Sequence, residues 1–417
     1  MKILVIGSGG REHALVWKLA QSSLVDKIYA APGNPGIAEL AECIPIKSEN
    51  TGELIKFAND VDIVVVGPET PLAEGIVDEL PKNKAFGPTK RGAMIESDKS
   101  YSKEIMRNTN IPTADFETFY KLEAAQKFIK SNRTYPIVIK ASGLAAGKGV
   151  IIAETEKEAN TALSNMMSEK TFGEAGDKVV IEEYLEGEEV SVLAFTDGKD
   201  FIPLIPSQDH KKLMDGDNGL NTGGMGAYAR AVLTEKEVGN IVENVFAPCV
   251  WGMKKDGITY KGILYAGLMM TSIGPKVLEF NCRFGDPETQ VILPLIDSDL
   301  MEPILATIEG NLKSVKVKFK NEYAICVVLA SSGYPGNYEK GKEITGLSKV
   351  PTNGCIAFHA GTSMKNNKII TAGGRVMGIT GLGNTLKASK DNVYSAISKV
   401  YFEGMYYRKD IGDKGLD

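Results

Sequence analysis

The sequence predicts a multidomain α/β and α+β protein. An N-terminal parallel-sheet α/β domain is followed by a central α+β region and a small C-terminal α+β domain. Three observations predict this. Short apolar strands alternate with helical stretches over residues 1–100. A β, α, β, β, α, β rhythm then runs from Phe116 to about Tyr184 around a glycine-rich turn. Strand patterns at 323–330, 354–361 and 373–380 precede a helical pattern from Thr385 to Tyr401. The length of 417 residues suits about three domains. We expect these at 1–100, 101–320 and 321–417, with 120–186 as a small mobile lid subdomain.

The elements follow in order. Ile3-Leu4-Val5-Ile6 is a strand and Arg11–Ala20 a helix. Lys27–Ala30 and Ile63–Val66 are further strands. Apolar four-residue strands alternating with helices indicate a parallel sheet covered on both faces. Helical character runs from Thr89 to about Asn108 and stops at Ile111-Pro112. Ile137–Lys140 and Gly149–Ala153 are strands flanking the glycine-rich turn. Residues 207–227 read as a long polar loop, 234–254 as a helix and 259–272 as a strand.

Composition excludes several classes. Lys and Arg number 48 against 53 Asp and Glu, a net charge of −5. A nucleic-acid coat or membrane-surface protein needs a basic face, so neither partner is expected. The cysteines are Cys43, Cys249, Cys282, Cys326 and Cys355, with no CxxC pair, and the histidines are only His13, His210 and His359. Neither a disulfide framework nor a zinc site is indicated. Apolar runs such as Ile263–Met270 are far too short for a membrane span, and the N-terminus lacks a signal-peptide core. We expect a soluble cytoplasmic protein.

Five segments carry chemistry. Gly7-Ser8-Gly9-Gly10-Arg11-Glu12-His13 joins the first strand to the first helix, where backbone N–H groups can meet a phosphate. Glu12 stands where the GxGxxG fingerprint needs glycine, and no acid follows the second strand. A nicotinamide cofactor is therefore disfavoured. A tight turn with a surface arginine explains the same residues, and the motif alone does not choose. Gly143-Leu144-Ala145-Ala146-Gly147-Lys148-Gly149 lies between two strands, unlike the strand–loop–helix Walker arrangement. It reads as a flap whose N–H groups fold over phosphates, with Lys140 at its base.

In Glu279-Phe280-Asn281-Cys282-Arg283, alternation places Glu279, Asn281 and Arg283 on one face. Carboxylate and amide oxygens are hard ligands suited to Mg²⁺. Arg283 can neutralise a transferring phosphoryl group. Glu182-Glu183-Tyr184-Leu185 and Glu189 form an acidic turn where the lid returns to the larger domain, a weak signal for an adenine edge and a ribose. The long polar stretch holds Asp209-His210-Lys211 and Thr222-Gly223-Gly224-Met225. Such loops tend to be functional. His210 is more readily structural than catalytic.

Taken together, these segments resemble the ATP-grasp superfamily. Within it the chain is similar to the glycinamide ribonucleotide synthetases. The match includes GSGGREHAL, APGNPG, GPETPL, SDKSYSK, IKASGLAAGKGV, EEYLEGEEVSV, DGDNGLNTGGMGAY, EFNCRFGDPETQ and YRKDIG, and it spans the chain. Leu220, Lys212 and Ala229-Arg230 depart from the usual pattern at the rim of the polar loop.

The resemblance implies an ADP-forming ligase of purine biosynthesis that joins glycine to 5-phosphoribosylamine through glycyl phosphate. It implies ATP and Mg²⁺, or Mn²⁺, as cofactors. Lys99, Lys140 and Arg283 would be catalytic. Gly143, Gly147, Lys148, Gly149, Glu182, Glu183, Tyr184, Leu185 and Glu189 would join both lysines around ATP. Glu182 and Leu185 would present backbone to adenine. Glu279 and Asn281 would bind metal. Gly9, Gly10, Arg11, Glu12, Asn34 and Glu69 would hold phosphoribosylamine, with Asp209, Thr222, Gly223, Gly224, Met225, Arg283 and Asp286 completing the substrate site. Transient contact with an upstream amidotransferase would suit the lability of phosphoribosylamine.

Two other readings are open at this stage. Another ATP-grasp carboxylate–amine ligase would lack the GGREHA and NTGGMGA segments. A nucleotide-sensing module would tolerate loss of Glu279, Asn281 or Arg283.

Overall fold

Ile3, Leu4, Val5 and Ile6 are fully buried in a strand at the centre of a five-stranded parallel sheet. Across the sheet the order is 42–43, 27–32, 2–7, 63–66 and 85–86. Leu4 and Ile6 pack into one apolar core while Ile3 and Val5 pack into another. Burial on both faces is why the strand is apolar throughout rather than alternating. The structure is a computed structural model that describes residues 1–132, 134–145, 149–231, 233–350 and 354–416.

The helical stretch expected over Thr89–Asn108 is two helices, Lys90–Ser97 and Lys99–Asn108. Asp98 breaks it with extended backbone, φ −136° and ψ 95°. Its carboxylate accepts from the N–H groups of Ser100 at 3.1 Å and Tyr101 at 3.3 Å. An aspartate satisfying these orphan donors starts a new helix more readily than it sits inside one. Asp98 also accepts from Ser142 Oγ at 2.8 Å and pairs with Lys178.

Ser142 and Lys178 belong to the lid. This is a four-stranded antiparallel sheet in the order 116–119, 179–183, 137–141, 150–153, backed by the helices Leu122–Ser131 and Glu156–Leu163. Its core, including Ile129, Ile139, Leu163 and Val179, is an apolar cluster of its own. The expected element order is present.

A ten-stranded sheet forms the remainder. Its main path is 274–281, 262–271, 188–196, 207–209, 226–229, 323–331, 375–383, 355–359. Gly226–Ala229 pairs antiparallel with Tyr323–Ser331, so the central and C-terminal parts share one sheet. Residues 207–227 are thus not a loop. They contain the strands Ser207–Asp209, Lys212–Met214 and Asn218–Asn221, and they enter a fourth at Gly226. Polar strand residues here face a cleft rather than a core, which hides the period-2 signal. Among the described residues no helix is long and apolar enough to cross a membrane.

Asp98→Ala is expected to cost about 1–2 kcal/mol through the lost cap. It should also speed amide exchange at 140–143. A urea midpoint equal to that of the parent would show that the cap carries no stability.

Candidate active site

The lid and the large sheet enclose a cleft of about 660 Å³. One wall is shaped by a β-bulge. Gly267 pairs with Glu279 and Leu268 with Val277, which leaves Leu278 without a ladder partner. Bulges of this kind free backbone groups and re-aim side chains. The released Leu278 carbonyl accepts from Lys140 Nζ at 3.0 Å. Lys140 also reaches Glu182 Oε2 at 3.0 Å, and Lys103 reaches the same oxygen at 2.9 Å. Glu182 Oε1 is buried without a partner among the described residues. Burial, only partly offset by Glu182, lowers the Lys103 pKa to about 8. Around these charges Val138, Ile152, Leu185, Met269 and Leu278 give the cleft an apolar wall.

The metal-type donors lie on the adjoining strand, Gly274–Asn281. Glu279 and Asn281 both line the cleft. Burial works to raise the Glu279 pKa, but Lys211, Lys140, Lys99 and Arg283 outweigh it and hold the carboxyl ionised. Its nearest ion pair, with Lys211 Nζ, is a loose 3.7 Å. Lys211 is shared with Glu189 at 2.9 Å. Lys99 Nζ donates to the Gly143 carbonyl at the flap base, 3.1 Å away. Burial lowers the Lys99 pKa, and Glu279 opposes the shift.

Arg283 lies just past the strand end. Its guanidinium meets Glu96 at 2.7 Å and Glu69 at 3.3 Å. Burial acts to raise the Glu69 pKa, yet Arg283 and Arg11 overcome it and hold it at about 2. Arg11 donates to the Phe284 carbonyl at 3.0 Å and pairs with Glu12 at 2.6 Å. Asp286 pairs with Arg375 at 2.9 Å. Asp209 Oδ1 is buried without a partner among the described residues. Burial, reinforced by Glu288, raises the Asp209 pKa well above the usual carboxylate range.

The structure gathers Arg11, Glu69, Lys99, Lys140, Gly149, Glu182, Glu183, Tyr184, Leu185 and Glu189 around this cleft. Asp209, Thr222, Gly223, Glu279, Asn281, Arg283 and Asp286 line it as well. Other expected residues do structural work. Glu12 turns back to accept from the Gly9 N–H at 2.6 Å, which uses up that phosphate-type donor. Its side chain fills the space beside Gly7 and Gly67, where a Cβ would lie 2.5 Å and 2.2 Å from Glu12 atoms. Gly10 lies against Gln290, whose Nε2 would be 2.6 Å from a Cβ there. Asn34 donates to the carbonyls of Ser8 at 2.8 Å and His359 at 2.9 Å, tying two distant segments. Met225 is fully buried in a backbone ladder. Gly224, at φ +107°, packs against Pro287 and Asp209. Gly147 and Lys148 lie outside the described residues. Both ring nitrogens of His210 are buried without partners among the described residues, and burial lowers its pKa to about 4.

Sequence reasoning missed Lys103, Lys211, Glu96 and Arg375. Lys103 lies four residues after Lys99 on one helix, so helical spacing could have found it. Nothing local marks Arg375, which reaches the cleft only through the shared sheet.

An apolar slot beside clustered cations, closed by an antiparallel lid, is the arrangement of the ATP-grasp proteins, and this chain is one. Family models for phosphoribosylglycinamide synthetase match it as an N domain at residues 1–96, an ATP-grasp (A) domain at 97–289 and a C domain at 324–414. The chain belongs to the phosphoribosylglycinamide synthetase family. It is 51% identical over 416 residues to phosphoribosylamine–glycine ligase of Caldanaerobacter subterraneus subsp. tengcongensis, covering 99% of each chain. It is 49% identical over 423 residues to the human trifunctional purine biosynthetic protein adenosine-3, covering 100% of this chain and 42% of that protein. The crystal structure of phosphoribosylamine–glycine ligase from Thermotoga maritima superposes with a TM-score of 0.86 at 36% identity, covering 99% of this chain and 100% of that one. A biotin carboxylase domain from Hydrogenobacter thermophilus, at 18% identity and TM-score 0.72, shares the fold over 97% of this chain and 91% of its own.

The low Glu69 pKa has a sign that can be tested. Its stabilising contribution is fully present above the ordinary glutamate value of 4.5 and is lost as pH falls through about 2. Wild type should therefore lose stability relative to Glu69→Gln between those pH values. A pH-independent difference in urea midpoints would contradict the pairing with Arg283.

Proposed function

We propose that the protein joins glycine to 5-phosphoribosylamine at the expense of ATP, forming glycinamide ribonucleotide, ADP and phosphate in purine biosynthesis. The observation that carries this reading is the gathering of Lys99, Lys140, Lys211 and Arg283 in one cleft with Glu279, whose carboxyl they hold ionised. A carboxylate substrate approaching a triphosphate meets strong repulsion, and only concentrated, preorganised positive charge offsets it.

In this reading Lys99 and Lys140 take the phosphates, and Lys99 exchanges its contact with Gly143 for them. The apolar wall takes the adenine, with Leu185 at its edge and Glu189 near the ribose. Glu279 and Asn281 fit a hard divalent cation. Their oxygens are two residues apart on one strand, and the carboxyl is kept ionised by its neighbours. Mg²⁺ held there would neutralise phosphate charge, and Mn²⁺ has the same donor preference.

The glycine carboxylate attacks the γ-phosphorus and expels ADP, giving glycyl phosphate. The amine of phosphoribosylamine then attacks the acyl carbon, phosphate leaves and the amine gives up a proton. Arg283 stabilises the transferring phosphoryl group. Asp209, a carboxyl whose buried Oδ1 has no partner among the described residues, suits the glycine ammonium group. Arg11 and Glu69 suit the phosphoribosyl group. Closure of the lid keeps water from the acyl phosphate. A handover of phosphoribosylamine from an amidotransferase and a cytoplasmic location accord with this chemistry.

ADP release should require glycine and phosphoribosylamine together with ATP. Rapid release with neither acceptor present would reject the ligase reading. Glu279→Gln should lower kcat about 100-fold or more, with an unchanged thermal midpoint; full activity would remove Glu279 from the metal site. Arg11→Ala should raise the KM for phosphoribosylamine and leave that for ATP unaltered, and the opposite pattern would exchange the two ends of the cleft.

A further inference from the structure

The end of the cleft away from the apolar wall is assembled from three remote segments. Gly223 and Gly224 come from the polar stretch, Asp286 follows the metal-type strand, and Arg375 opens a C-terminal strand. The Arg375 guanidinium joins them. Its Nη1 donates to the carbonyls of Gly223, of Asp286 at 2.9 Å and of Gly224 at 3.4 Å. Its Nη2 donates to Asp286 Oδ2 at 2.9 Å. A second C-terminal residue completes the hold, because the Gly223 N–H donates to Tyr334 Oη at 3.0 Å. Both backbone polar groups of Gly223 are thus held from the C-terminal segment.

The fit is close. A Cβ on Gly223 would lie 3.2 Å from Arg375 Cζ, and one on Gly374 would lie 2.3 Å from the Tyr334 ring. Glycine at both positions lets the turn, the guanidinium and the phenol meet. A planar fork with several fixed N–H directions can serve all of these acceptors at once, whereas a lysine ammonium cannot.

We propose that Arg375, assisted by Tyr334, is a positioning residue that sets the acceptor end of the cleft by clamping the Gly223–Gly224 turn to Asp286. The identity of the acceptors rests on the reading of the preceding subsection. Arg375 spends its fork on protein oxygens and acts through the groups it holds. The turn and Asp286 face the same cavity as Asp209 and Arg283, so loosening the clamp displaces the surfaces that meet glycine and phosphoribosylamine. The nucleotide end, built on the lid and the bulged strand, is untouched. Misplacement of a bound reactant by about 1 Å can cost on the order of 100-fold in rate.

Arg375→Gln and Arg375→Lys, with Tyr334→Phe as a milder variant, test this in two ways. Steady-state assays should show the KM for glycine, for phosphoribosylamine or for both rising tenfold or more. The KM for ATP and calorimetric binding of MgADP should change less than twofold. Arg375→Lys should be intermediate, and Tyr334→Phe should shift the same constants by a smaller factor. Hydrogen exchange, which needs no turnover, should accelerate at least tenfold at residues 223–224 and 286–290 in Arg375→Gln and stay unchanged at 137–141 and 179–183. Equal changes in the acceptor and ATP constants, or unchanged exchange at 223–224 and 286–290, would overturn the clamp. Failure of the wild-type protein to turn over would refute the assigned reaction, while the exchange comparison would still decide the clamp.

Discussion

Two lysines share one oxygen of Glu182, and much of the cleft follows from that arrangement. Lys103 and Lys140 lie 2.9 Å and 3.0 Å from Glu182 Oε2, all three nearly out of water. Buried ammonium groups are costly unless paired, and a single carboxylate leaves the cluster with net positive charge. That surplus is what an oxyanion ligand needs. Elsewhere along the cleft the ratio is reversed, with Lys211 shared by Glu189 and Glu279, and Arg283 by Glu69 and Glu96. In those pairs the carboxylates fix the cation in place, and the surplus positive charge lies at the Glu182 cluster.

The backbone serves the same end. A bulge at Leu278 frees the carbonyl that anchors Lys140, and a helix start at Asp98 aims Lys99 at the flap base. Asp98 also ties that helix to Ser142 and Lys178 of the lid. The lid keeps its own apolar core and meets the rest of the chain at this attachment. This end of the cleft is therefore lined by residues of both the small sheet and the large one.

The opposite end is assembled differently. Arg11, Glu69, Asp209, Asp286 and Arg375 come from remote parts of the chain and meet where the parallel sheet abuts the large one. Asn34 adds a further tie, bridging Ser8 to His359. Such ties suit recognition of small polar molecules, whose few contacts must be well placed.

Much of this was legible in the chain. The strands at 3–6 and 63–66 declare themselves because burial on both faces demands unbroken apolar runs. The pair Glu279 and Asn281 is readable because a strand repeats every two residues. Asp98 was misread, because a helical pattern says little about where a side chain prefers to cap. Residues 207–227 were misread because strands lining a polar cleft lose the apolar alternation. Glu12, Asn34 and Met225 have the composition of a binding site, but their hydrogen bonds and burial are spent inside the protein. By itself the sequence determined the local elements and the chemical inventory, since both depend on spacing within a few residues. Only the tertiary structure decided which charges meet, such as Arg375 with Asp286 or Lys103 with Glu182, because a contact across many tens of residues leaves no periodic trace.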